Sequence, residues 1–154
     1  MGSAVRFLVV DDFSTMRRII KNFLNDLGYN HVQEADDGMT ALPILKSGTI
    51  DFLITDWNMP GMQGLDLLKA VRADAKISKM PVLLLIGDKD TTGRSNRAPK
   101  EVQATLGNFP AMSEAAKARI PTAKLVRFAD MGHSPQIQDP ARFHAALLEG
   151  LARP

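Results

Sequence analysis

The chain has 154 residues, of which 45% are hydrophobic and 23% are charged, and its formal net charge is +2. This length and apolar content exclude a disordered chain and predict a single domain, residues 1–154, with a substantial buried core. No apolar run is long enough for a transmembrane helix and no signal peptide is visible, so a cytoplasmic location is expected.

Composition also excludes several classes of site. The chain contains no cysteine, which excludes disulfides, cysteine-ligated zinc and thiol catalysis. One tryptophan and one tyrosine are too few for a base-stacking surface. We therefore expect neither nucleic acid nor membrane as a partner.

The charge balance changes along the chain. Residues 1–81 carry nine basic and ten acidic side chains, whereas residues 82–154 carry ten basic and seven acidic ones. No glycine-, serine- or proline-rich linker separates the two parts. The shift therefore needs an explanation other than a simple domain boundary.

Strands and helices alternate in the first part. The apolar run 5–10 predicts a strand, and apolar residues at helical spacing from Met16 to Leu27 predict a helix, with Ser14 as its cap and Gly28 as its stop. Further elements are predicted at His31–Ala35 (strand), 40–46 (helix, with Pro43 in its first turn), Phe52–Thr55 (strand) and 65–71 (helix).

The alternation continues to the end of the chain. A very apolar strand is predicted at 82–86, helical pieces near 100–106 and 113–119, a fifth strand at 125–128 and a last helix from Asp139 and Pro140. This order predicts a flavodoxin-like α/β fold. Its five-stranded parallel sheet has the order 2-1-3-4-5 with helices on both faces.

Three carboxylates follow predicted neighbouring strands, Asp11 and Asp12 after the first and Asp56 after the third. Close carboxylates repel each other by roughly 4 kcal/mol per pair at intermediate dielectric, so such a cluster indicates a divalent cation or a shifted pKa. Oxygen-only ligands favour Mg²⁺, and a carboxylate beside it can act as a nucleophile toward a phosphoryl donor. Alternatively, each aspartate caps the helix that follows it.

Three segments around these carboxylates carry a family resemblance: VVDDFSTMRR at 9–18, EADDG at 34–38 and TDWNMPGM at 55–62. They resemble the CheY-like receivers of bacterial chemotaxis response regulators, over about residues 5–85. The resemblance implies that Asp56 is the phospho-acceptor. It also implies that Asp11, Asp12, Asp56 and the backbone carbonyl of Asn58 hold Mg²⁺, and that Trp57 reports on the site by fluorescence.

The sequence departs from this family after residue 85. Where the family has Thr or Ser at the end of strand 4, this chain has Ile86, and where the family has Lys-Pro after strand 5, it has Phe128 and Ala129. Arg127 is a candidate to replace the missing lysine. The family's switch aromatic and the face that binds the kinase and the flagellar motor are absent, so no such partner is expected.

Residues 82–154 resemble a different family through LLIGDKD at 84–90 and MGHSPQ at 131–136. These segments resemble the C-terminal part of the α/β-hydrolases, which implies Asp90 as the acid and His133 as the base of a catalytic triad. The Gly-x-Ser-x-Gly nucleophile elbow is absent. The alternative is a structural Asp–His hydrogen bond. A basic cluster, Arg94, Arg97 and Lys100, is either a solvated loop or an anion site.

Together the two resemblances suggest an engineered, recombinantly expressed chimera, with residues 1–81 derived from a receiver and residues 82–154 from a hydrolase. This interpretation predicts weak Mg²⁺ binding, no enzymatic activity and no partner. One alternative is a phospho-accepting receiver module. Another is a weak esterase-like hydrolase in which His133 is the general base on water.

Overall fold

The computed structural model describes residues 4–91, 100–103, 107–120 and 123–151. The chain forms two compact units, Met1–Pro81 and Val82–Pro154, referred to below as the first and the second unit. Their boundary falls where the charge balance of the sequence changes. The prediction that residues 1–154 form a single domain requires these units to associate, and it stays a prediction. Within the described ranges, no helix combines the length and apolar character needed to cross a membrane.

The first unit alternates strands and helices around a parallel sheet. Its elements are β1 (Arg6–Val10), α1 (Ser14–Asp26), β2 (His31–Ala35), α2 (Gly38–Lys46), β3 (Phe52–Thr55) and α3 (Gly64–Ala73). The sheet has the order β2-β1-β3. In the register, Val10 of β1 lies opposite Ala35 of β2 and Thr55 of β3. The residues that follow β1 and β3 therefore emerge side by side.

The central strand β1 is buried because helices cover it. Phe7, Leu8, Val9 and Val10 are essentially inaccessible, as expected for a strand that is apolar on both faces. Leu8 and Val10 belong to a core cluster with apolar residues of α2 and α3, namely Ala41, Leu45, Leu67 and Val71. This packing fixes the carboxyl end of β1.

The starts of two helices differ from the sequence predictions. The N-cap of α1 is Phe13, so Ser14 is the first helical residue rather than the cap. Helix α2 begins at Gly38 because Asp37 and Thr40 form a capping box. In it the Thr40 amide donates to Asp37 Oδ1 at 2.7 Å. The earlier start places Pro43 in the helix interior instead of the first turn.

The second unit contains two strands and four helices in its described residues: β4 (Val82–Gly87), α4 (Lys100–Gln103), α5 (Phe109–Arg119), β5 (Ala123–Phe128), α6 (Pro135–Gln138) and α7 (Pro140–Leu151). Strands β4 and β5 pair in parallel along all of their residues. Asp139 accepts a hydrogen bond from the Arg142 amide at 3.1 Å, so it acts at the start of α7 as predicted. Helix α6 was not predicted.

The predicted five-stranded sheet of order 2-1-3-4-5 is wrong in its pairing. The strands form a three-stranded sheet, β2-β1-β3, and a separate two-stranded sheet, β4-β5. Alternation of strands and helices predicts parallel strands, but pairing depends on which edges meet in register, and that is not a local property of the sequence. Residues 104–106 of a predicted helix, and Arg94 and Arg97, lie outside the described residues.

Candidate functional site

The predicted acidic residues meet at the carboxyl edge of the first unit's sheet. The Asp56 amide donates to the Val10 carbonyl at 2.8 Å, and the Asp11 amide donates to the Ala35 carbonyl at 3.2 Å. These bonds continue the strand pairing by one residue beyond β1 and β3. We call Asp11, Asp12 and Asp56 the acidic site.

Asp11 is the most buried member of the acidic site, with only 7% of its surface exposed. Burial is the main cause that raises the pKa of its carboxyl group from 3.8 to about 6, and the charges of Asp56 and Asp12 raise it further. The Phe13 amide, which donates to Asp11 Oδ1 at 2.8 Å, and the charge of Arg17 oppose this rise. Ionising Asp11 in the folded protein is therefore costly, and a positive charge next to its carboxylate would lower that cost.

Asp12 has an unsatisfied oxygen in this environment. Its Oδ1 atom is buried and accepts no hydrogen bond from any described residue. A buried acceptor without a partner costs about 1–3 kcal/mol, and more when it is charged, unless a cation or water satisfies it. The site therefore fits a cation with oxygen ligands.

The chemistry of the donor atoms, all of them oxygens, bears on which cation fits. Within the described ranges, no three histidine or acidic side chains are gathered closely enough to hold a metal ion by themselves. Mg²⁺ suits such a site because it keeps several waters and binds through one or two carboxylates. Asp11, Asp12 and Asp56 are the residues that would supply these carboxylates.

The backbone of Asp56 is held from behind. Thr55 Oγ1 donates to the Asp56 carbonyl at 3.0 Å, and the Gly64 amide donates to the Trp57 carbonyl at 3.1 Å. A Cβ atom at residue 64 would overlap the Asp56 carbonyl. Sequence reasoning did not single out Gly64, and the only available signal was a glycine at the start of a helix.

Asn58, the predicted backbone ligand, is exposed in the loop that joins β3 to α3. Its neighbour Met59 is buried in the core cluster and anchors this loop. Gly61 has a φ of 71°, a left-handed conformation that favours glycine. The loop after Asp56 is thus held at Met59 while Asn58 stays accessible to solvent.

In the second unit the structure brings Asp90 and His133 together. His133 Nδ1 lies 3.0 Å from Asp90 Oδ2. Asp90 is 8% exposed, while the imidazole is largely accessible. This is the orientation of an acid–base pair whose carboxylate fixes the ring. It is equally the geometry of a structural hydrogen bond.

Arg127 does not take the role suggested for it. Its Nε and Nη2 atoms each donate to a carboxylate oxygen of Asp88 at 2.8 Å, and Glu114 lies 3.6 Å from its Nη1 atom. A guanidinium held by two oxygens of one carboxylate is a strong and directional pair. The hypothesis that Arg127 replaces the missing lysine is therefore not supported.

Comparison with known proteins identifies relatives of the chain. The family model for the response regulator receiver domain matches residues 7–101, well over half of the chain. Chemotaxis protein CheY-3 of Vibrio cholerae is 63% identical over 88 residues, which are 57% of this chain and 68% of that protein. The solved structure of the chemotaxis response regulator CheY4 of Vibrio cholerae matches with a TM-score of 0.62 and 26% identity, over 98% of each chain.

A probable hydrolytic enzyme from Pseudomonas aeruginosa PAO1 also matches, with a TM-score of 0.66 and 23% identity over 97% of this chain and 86% of that one. At this identity the likeness shows the fold alone. The receiver match extends to residue 101, across the whole stretch 81–87 within which the chimera interpretation places the junction. An engineered chimera with a hydrolase fragment is therefore not supported, and the receiver alternative is favoured.

Proposed function

Because the chain belongs to the response regulator receiver family, we propose that it is a phospho-accepting receiver module in which Asp56 takes up a phosphoryl group. Asp11, Asp12, Asp56 and the backbone carbonyl of Asn58 would hold Mg²⁺. The observation that carries the proposal is the buried Asp12 Oδ1, which lacks a partner among the described residues beside the buried Asp11.

The reaction needs one nucleophile and neutralisation of charge. A carboxylate oxygen of Asp56 attacks the phosphorus atom of a small phosphodonor, a new P–O bond forms, and the bond to the leaving oxygen of the donor breaks. When bound, Mg²⁺ supplies positive charge to the phosphoryl oxygens. Thr55 and Gly64 restrict the Asp56 backbone, so the point from which the acceptor side chain leaves the chain is fixed before the donor arrives.

Phosphorylation is not expected to cause a family-type switch. Ile86 has no hydroxyl group to bond a phosphoryl oxygen, and Phe128 and Ala129 stand where the family has Lys-Pro. Arg127 is held by Asp88 instead. We therefore propose a cytoplasmic module that accepts a phosphoryl group but does not transmit a conformational change to a kinase- or motor-binding face.

The first test uses Trp57, the only tryptophan of the chain, as a reporter next to Asp56. Titration with Mg²⁺ should give a saturable change in fluorescence in the millimolar range, and a subsequent small phosphodonor should give a second change. Sodium chloride at the same ionic strength is the control. A folded protein without any fluorescence response to Mg²⁺ would contradict the proposal.

The Asp90–His133 pair supports a second candidate, weak hydrolysis of esters. The buried carboxylate orients an accessible imidazole that would act as general base on water. If so, His133→Ala should lower the turnover of a p-nitrophenyl ester by about a hundredfold, which is the lower end of the range for loss of a general base. His31→Ala, at an exposed histidine of β2, is the matched control. Equal turnover in both variants would exclude this candidate.

A further inference from the structure

Arg17 of α1 lies between the acidic site and strand β2. Its Nη1 atom donates to the Asp11 carbonyl at 2.6 Å. Its Nε atom lies 3.4 Å from Glu34 Oε2, an ion-pair contact rather than a hydrogen bond. Only 17% of the side chain is exposed, although arginine is usually well solvated. A mostly buried guanidinium with these contacts has little freedom to move.

The carbonyl that Arg17 holds belongs to the peptide unit joining Asp11 to Asp12. Fixing this unit restricts ψ of Asp11 and φ of Asp12, and so the directions in which both side chains leave the backbone. On the amino side, the pairing of Asp11 with Ala35 already fixes the chain. Arg17 therefore supplies the constraint beyond the last strand bond, at the two residues whose carboxylates would hold Mg²⁺.

Glu34 keeps Arg17 in place. It lies in β2 opposite Val9 of β1, and its Oε1 atom accepts a hydrogen bond from Lys21 at 2.9 Å. The two cations hold the pKa of Glu34 below its ordinary value, with the Lys21 hydrogen bond as the largest cause. The carboxylate is thus an ionised anchor on the sheet for the guanidinium.

We propose that Arg17 is a positioning residue for phosphoryl transfer to Asp56: it fixes the Asp11–Asp12 peptide, whose two carboxylates would hold Mg²⁺, and Glu34 fixes Arg17. The inference rests on the proposed receiver function. Sequence reasoning did not identify Arg17, because its role comes from a contact to the backbone of a residue six positions earlier, before α1 begins. The presence of a charged residue on a helix does not by itself predict a contact with a backbone carbonyl.

The direction of the change in Mg²⁺ affinity separates positioning from simple charge effects. Removing a positive charge near the site reduces repulsion of Mg²⁺ and by itself would tighten binding. Loss of positioning would weaken binding instead. For Arg17→Met we expect a Mg²⁺ dissociation constant about tenfold higher and a lower rate of Asp56 phosphorylation at saturating Mg²⁺, in line with the loss of groups that orient metal ligands.

The experiment measures Mg²⁺ affinity by Trp57 fluorescence and the phosphorylation rate with a small phosphodonor, in the full chain. Arg17→Lys, which keeps the charge and can reach one of the two partners, should recover part of both. Arg18→Met, at the exposed neighbouring arginine, is the matched control and should behave like the wild type. Arg17→Met combined with Glu34→Gln should lose no more than Arg17→Met alone, because both act through one path.

The outcomes distinguish this proposal from the one on which it rests. A wild-type protein that neither binds Mg²⁺ nor is phosphorylated overturns the receiver function and the role of Arg17 together. A functional wild type with unchanged or tighter Mg²⁺ binding in Arg17→Met overturns the role of Arg17 alone. If Arg17→Met does not fold, Arg17→Lys decides, since a purely structural residue would lower its melting temperature and leave the Mg²⁺ affinity of the folded protein unchanged.

Discussion

Asp56→Asn should abolish phosphorylation of the protein by a small phosphodonor in the presence of Mg²⁺. The carboxamide oxygen carries no negative charge and is a poor nucleophile, so the new P–O bond cannot form at residue 56. The residue keeps its size, and the Asp56 amide bond to Val10 and the carbonyl contact with Thr55 use only backbone atoms of residue 56. Intact-protein mass after exposure to the donor measures the incorporated phosphate.

The matched control is Asp66→Asn, which makes the same chemical change on the exposed face of α3. Asp66 forms an exposed pair with Lys69 at 2.9 Å, and such a pair contributes little to stability. This variant should be phosphorylated like the wild type. Phosphate in Asp56→Asn at the wild-type level, or peptide mapping that places it on Asp12, would contradict the assignment of Asp56 as acceptor.

Asp11→Asn should stabilise the metal-free protein above pH 6. The ordinary pKa of this carboxyl group is 3.8, and in the folded protein it is about 6, mainly because the group is buried. Ionising it in the folded protein therefore costs about 2–3 kcal/mol relative to the unfolded chain. Asparagine avoids that cost, and its carbonyl oxygen can still accept the hydrogen bond from the Phe13 amide.

The pH dependence gives this prediction its sign. The folded state binds the proton of Asp11 more tightly than the unfolded chain does, so this contribution to stability is fully present below about pH 4. This contribution is lost as the pH rises to about 6, and above that value the stability no longer changes with the ionisation of Asp11. The advantage of Asp11→Asn should accordingly appear between these two pH values and vanish in acid.

Urea unfolding followed by Trp57 fluorescence, in excess chelator, measures this difference for the first unit. Asp66→Asn serves again as the control, and its free energy of unfolding should stay within about 0.5 kcal/mol of the wild type. Mg²⁺ at ten times its dissociation constant should stabilise the wild type by about 1.4 kcal/mol. A wild type that is as stable as Asp11→Asn at pH 7.5 without metal would show that burial of Asp11 carries no such cost.

The local elements were largely predictable because their signals are local. Strands β2 and β3 have the predicted bounds, since short apolar or alternating runs end at turn residues. Helix starts were predicted less accurately. For α2, Pro43 suggested a first turn near residue 40, but the reciprocal bonds of the Asp37–Thr40 capping box start the helix at Gly38. The pairing of β3 and β4 was predicted wrongly, since edge pairing depends on tertiary register.

The acidic site shows the same division. The sequence by itself brought the carboxylates after β1 and β3 together, because parallel strands place their carboxyl ends at one edge of a sheet. The expectation that Asp56 is the acceptor came from the resemblance to receivers and stays a proposal. Only the tertiary structure decided how these groups are held. Burial raises the pKa of Asp11, Gly64 packs closely against the Asp56 carbonyl, and Arg17 donates to the Asp11 carbonyl. These effects depend on how the packed sheet and helices bring particular atoms together in space, which residue type and spacing do not contain.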